Sequence, residues 1–83
     1  MAMSREEAIF EKIREIIAGQ LRLSTEDVRS DSLIVEELGA DSIDIVEILT
    51  AFEDHYQITV SDEEIISFRT PEDILAYLEE HQT

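Results

Sequence analysis

Gly39-Ala40-Asp41-Ser42-Ile43-Asp44-Ile45-Val46-Glu47-Ile48-Leu49-Thr50-Ala51-Phe52-Glu53 reads as a turn leading into one amphipathic helix, expected over Ser42 to Tyr56. With about 100° of rotation per residue, Ile45, Ile48, Leu49, Phe52 and Tyr56 share one face, and Ile43, Glu47, Thr50 and Asp54 form a stripe on another. Asp41 is placed to cap this helix, with Asp44 three residues on as a second acceptor. The hydroxyl of Ser42 is then left uncommitted at the positive end of the helix dipole. Ile43 is apolar but lies off the core face, bordered by Asp41, Asp44 and Glu47. An apolar contact ringed by carboxylates suits docking, with basic groups selecting the acids and Ile43 desolvated between them.

Outward from this helix the chain signals three more. Ser4-Arg5-Glu6-Glu7 is a capping box, followed by Ile9, Phe10, Ile13, Ile16 and Ile17 at helical spacing, with Gly19 as the expected stop. Ser61-Asp62-Glu63-Glu64 opens a short third helix carrying Ile65 and Ile66. Thr70-Pro71-Glu72-Asp73 puts a cap and an N1 proline before Ile74, Leu75, Tyr77 and Leu78. Leu21 to Ala40 lacks sustained periodicity, so a long loop is expected there, pinned by Leu23, Val28, Leu33 and Leu38. A loop this long implies a hidden helical turn or a functional connection. Ile58-Thr59-Val60 alternates like a strand but has no partner, and is expected to be an extended connector with Ile58 and Val60 inward. The expected fold is all-α, a four-helix bundle with a long first connection and a short third helix.

Composition bounds the function. A chain of 83 residues is expected to form a single domain, residues 1–83, burying only about 60% of its unfolded surface and leaving little room for a deep catalytic cleft. Met1-Ala2-Met3 is expected to be disordered or partly vector-derived. Twenty-one acids against six bases give a net charge of −15, which repels nucleic-acid phosphates and anionic lipid and selects basic partners. Ser30 to Phe68 holds eleven acids and no Lys or Arg, while five of the six bases lie in the first 29 residues. There is no cysteine, which excludes disulfides and thiolate metal sites. No apolar run approaches the ~18 residues of a membrane span and no leader pattern opens the chain, so a cytoplasmic monomer is expected.

Enzyme readings fail on geometry. Ser42 and His55 lie thirteen positions apart on one helix. That is about 20 Å, against the roughly 3 Å that proton transfer needs. Neither glycine sits in a loop with the alternating acidic or amide ligands of a calcium-binding hand, and no metal site is expected.

The stretch Glu36-Glu37-Leu38-Gly39-Ala40-Asp41-Ser42, with Asp44 and Glu47 after it, resembles the site of acyl carrier proteins, and the resemblance runs from about Ser4 to about Glu80. It implies a non-catalytic carrier in which Ser42 bears 4′-phosphopantetheine, donated by coenzyme A, that holds acyl intermediates as thioesters. The implied partners are a phosphopantetheinyl transferase and acyl-processing enzymes with basic patches facing Asp41, Ile43, Asp44 and Glu47. The resemblance further implies an acyl pocket between the second and third helices, with Ile45, Val46, Leu49 and Ile66 as candidate lining. Ala40-Asp41 before the serine is closer to fatty-acid or polyketide carriers than to peptidyl ones. Ile43 where leucine is usual, Thr50 where methionine is common and Ser61 where proline is frequent leave room for a specialised pathway. The alternative from another class is an acidic helical interaction module without a prosthetic group.

Overall fold

A computed structural model of the chain describes residues 4–81. The expectation for Met1-Ala2-Met3 lies outside the described residues. Four helices follow in order, α1 Arg5–Leu21, α2 Ser42–Tyr56, α3 Asp62–Ile65 and α4 Pro71–His81, and among the described residues there is no strand. The chain is all-α.

The central element is α1, which packs against both α2 and α4. Its start is the expected capping box, with Ser4 Oγ accepting the Glu7 N–H and the Glu7 carboxylate accepting the Ser4 N–H. Ile9, Ile13 and Ile17, four residues apart, form its buried edge. They meet Ile48, Leu49 and Phe52 of α2 and Ile74 and Leu78 of α4 in one core, closed by Val28, Ile34, Ala40 and Phe68 from the connections.

Gly19 does not stop α1. The helix continues to Leu21 and ends at Arg22, which takes the left-handed conformation at φ 59° and donates its N–H to the Ala18 carbonyl. The Leu23 N–H turns back to the same carbonyl, and the half-buried Leu23 packs onto the core. Tertiary packing of Leu21 and Leu23 thus outweighs the intrinsic preference for glycine at the cap, which makes Arg22 adopt a backbone that L-residues rarely hold. At the end of α2 the same arrangement recurs, with Gln57 at φ 56° and Ile58 packed beyond it.

Of the two readings of the long connection, the structure bears on the hidden helical turn: the connection contains a single 3₁₀ turn, Thr25–Asp27, capped by Ser24. Arg14 of α1 ties this turn down with a fork of donors: Nε to the Val28 carbonyl at 2.8 Å and Nη2 to the Thr25 carbonyl at 2.7 Å. Nη1 also pairs with Glu11 at 2.6 Å. Of the four expected anchors, Val28 is fully buried, Leu23 and Leu38 pack against the core, and Leu33 yields its place to Ile34. The Ile34 N–H donates to the Arg69 carbonyl at 2.9 Å and the Glu72 N–H to the Ser30 carbonyl at 3.1 Å, so the connection is stitched to the start of α4. Pro71 sits buried at N1 of α4, and Thr70 Oγ1 accepts the Asp73 N–H.

α3 is one turn long. Ser61 Oγ accepts the Glu64 N–H, but the Glu64 carboxylate receives the Ser61 hydroxyl in place of its N–H, leaving half a capping box. Ile58 and Val60 are half-buried against the core with Thr59 exposed between them, as their alternation predicts.

Candidate attachment site

The turn over residues 34–38 folds the chain back before α2, with the Gly39 N–H reaching the Val35 carbonyl and the Ala40 N–H the Ile34 carbonyl, each at 3.1 Å. Gly39 lies at φ +79°, a backbone that a side chain would strain. Ala40 follows, buried, and fixes the start of α2 against the core.

Asp41 is the N-cap. Its Oδ1 accepts the Asp44 N–H at 2.8 Å, and Asp44 Oδ2 accepts the Asp41 N–H at 3.2 Å, a reciprocal box made by two aspartates. Ser42 therefore occupies the first turn without being its cap. Its side chain is exposed and its hydroxyl has no hydrogen-bond partner among the described residues. A serine in such a place, next to free helical N–H groups, is chemically available for a covalent phosphate link, and the helix terminus contributes modestly to holding the charge.

On the first turns of α2 Ile43 is 66% exposed and Val46 55%, and Val35 in the preceding turn is 49% exposed, three of the large apolar side chains that the core leaves open. Asp41 and Glu47 are exposed and Asp44 half-buried. The four residues singled out for docking, Asp41, Ile43, Asp44 and Glu47, thus share the first turns of α2 with Ser42. The sequence pattern did not point to Val35, which the turn before Ser42 leaves at the surface, or to Gln20, whose side chain reaches from α1 to Asp44 and Glu47. Thr50 is exposed and donates its hydroxyl back to the Val46 carbonyl at 2.8 Å.

The four candidate pocket residues fall in different environments. Leu49 is part of the closed core and Ile45 packs at its edge, whereas Val46 and Ile66, the latter 79% exposed, stand at the surface. Among the described residues no group of His, Cys, Asp and Glu could hold a metal ion, and no helix is long and apolar enough to cross a membrane.

The family of phosphopantetheine attachment sites matches residues 11–78. An acyl carrier protein of Wolinella succinogenes is 42% identical over 72 residues, 87% of this chain and 95% of that protein. One from Akkermansia muciniphila is 43% identical over 75 residues, 90% and 94% of the two chains. One from Clostridium perfringens is 37% identical over 73 residues, 88% and 96%. Fold, site and match together define a phosphopantetheine-bearing domain, a carrier and not a catalyst. The chain belongs to the acyl carrier protein family.

Proposed function

We propose that this chain holds acyl intermediates on a 4′-phosphopantetheine arm joined to Ser42 and presents them to the enzymes of fatty-acid or related polyketide synthesis. The arm, when attached, supplies a terminal thiol that carries the acyl group as a thioester. The observation that supports Ser42 is the division of labour at the start of α2: the Asp41–Asp44 box satisfies the helix end, and the exposed Ser42 hydroxyl is left without a partner.

Asp41, Asp44 and Glu47 present negative charge beside the attachment point, and Ile43 offers the apolar contact between them. A transferase or acyl-processing enzyme with Arg or Lys around an apolar depression complements this surface, the charges steering encounter and fixing register. Net charge of −15 keeps the carrier in solution and unassociated, consistent with a monomer working in the cytoplasm. An acyl chain returning to the protein between α2 and α3 would pass Val46 and Ile66 at the surface before reaching Ile45 and Leu49.

The test is acyl loading. The phosphopantetheine-bearing chain, incubated with an acyl-CoA donor and an acyltransferase of fatty-acid synthesis, should gain the mass of one acyl group, and neutral hydroxylamine should release it. No gain, or a gain that hydroxylamine leaves in place, would contradict thioester carriage.

A further inference from the structure

We infer that Gln20 is a positioning residue that holds Asp44 and Glu47 together as one doubly charged receptor for a guanidinium or ammonium group of the partner. The inference rests on the docking reading of those two acids.

Because α1 runs past Gly19, Gln20 lies in its last turn, and the packing of α1 on α2 brings its amide to the first turns of α2. Gln20 Nε2 donates to Asp44 Oδ1 at 3.3 Å and, more closely, to Glu47 Oε2. Ionised carboxylates only accept, so the amide must turn its nitrogen towards both. Asp44 Oδ2 is already taken by the Asp41 N–H. Asp44 is therefore held from both oxygens and Glu47 from one.

Asp44 and Glu47 are three residues apart and neighbours on the helix surface, so their like charges repel. Left alone, the exposed Glu47 would swing away and would have to be re-immobilised whenever a partner bound. A lysine or arginine at position 20 would draw the two acids together more strongly, but would cancel one of the charges the partner reads. A neutral amide with two N–H donors gathers the pair and leaves the charge of both intact. The receptor's geometry is thereby set in α1, an element outside the stretch that bears Ser42 and the docking acids.

The experiment is steady-state phosphopantetheine transfer from coenzyme A by a broad-specificity transferase, with the apo carrier as the varied substrate and each variant's melting midpoint recorded. Gln20→Leu keeps the helix propensity and an apolar stem of similar bulk but loses both donors. It should raise KM for the carrier about three- to tenfold, the factor expected for immobilising one long side chain, with kcat and the melting midpoint unchanged. Gln20→Lys should also raise KM and should flatten its dependence on salt. In a Glu47→Gln background, where KM is already raised, Gln20→Leu should add less than twofold. A KM for Gln20→Leu within twofold of wild type, alongside a raised KM for Glu47→Gln, would overturn the positioning role and leave the docking surface standing. Equal, additive effects in both backgrounds, or a loss of kcat that tracks a lowered melting midpoint, would also overturn it. If neither Glu47→Gln nor Asp44→Asn moved KM, the docking reading would fall and this inference with it.

Discussion

Replacing Asp41 by alanine should destabilise the fold while replacing Ser42 by alanine should not, although the two residues are adjacent and both are common helix caps. Asp41→Ala removes the acceptor 2.8 Å from the Asp44 N–H and the negative charge nearest the start of α2. Loss of an N-cap typically costs ~1 kcal/mol within a range of about 0.5 to 2. The lost charge at the positive helix end adds a few tenths, and relief of repulsion from Asp44 and Glu47 offsets a similar amount. The net of ~1 kcal/mol compares with a total of roughly 4–12 for a domain of this size, and should lower the melting midpoint by about 4–8 °C. Asp41→Asn retains the acceptor and should lose less than half as much. Ser42→Ala exchanges an uncommitted, exposed serine for a better helix former and should stay within ~0.5 kcal/mol of wild type. Thermal unfolding followed by circular dichroism at 222 nm, with urea titrations to check that the m-value is constant, measures all three. Equal losses for Ser42→Ala and Asp41→Ala, or a wild-type melting midpoint for Asp41→Ala, would refute the assignment of the cap.

Three further outcomes follow from the same structure. Gly19 is an exposed residue inside α1 with nothing within 4 Å of where a Cβ would stand, so Gly19→Ala should stabilise by ~1 kcal/mol, whereas the same change at Gly39, at φ +79°, should destabilise. Salt should raise the melting midpoint, and magnesium should do so at lower concentration than sodium, because screening relieves the repulsion among the eleven acids between Ser30 and Phe68; a flat or falling midpoint would contradict this. Ile43→Asp and Glu47→Lys should weaken binding to a phosphopantetheinyl transferase with melting curves close to wild type, since both side chains are exposed; titrations and melts on the same samples check it.

Where helix starts are written in short polar side chains the sequence was readable to the residue. α2 spans Ser42–Tyr56 as its periodicity predicts, and Asp41, with Asp44 three positions on, announces its cap. Pro71 and Ser4 mark their helices equally well. The end of α1 was not readable in this way. Gly19 carries the local signal for a stop, but the burial of Leu21 and Leu23 is decided by packing against distant elements, and it moves the cap to Arg22. The 3₁₀ turn did leave a trace, Ser24 followed three residues later by Asp27, the same box spacing that opens α1, within a stretch too short to show periodicity. Choosing Leu33 over Ile34 as anchor failed because two adjacent aliphatics in a turn give no period to choose by. Ser42 and its acidic neighbours were legible because they are contiguous in the chain. Gln20 was not, since its contact with Asp44 and Glu47 spans more than twenty residues and depends on how α1 crosses α2.

The most direct measurement is intact mass after incubation of the apo chain with coenzyme A and an active phosphopantetheinyl transferase. The wild type should gain one phosphopantetheine, and Ser42→Ala, still folded by its melting curve, should gain none. No gain on the wild type, with a transferase that modifies another carrier, would contradict carriage. A gain that persisted in Ser42→Ala would place the arm on another hydroxyl, against the structure's own disposition of the alternatives: Ser32 is buried with its Oγ accepting the Arg29 N–H, and Ser61 is committed to capping α3.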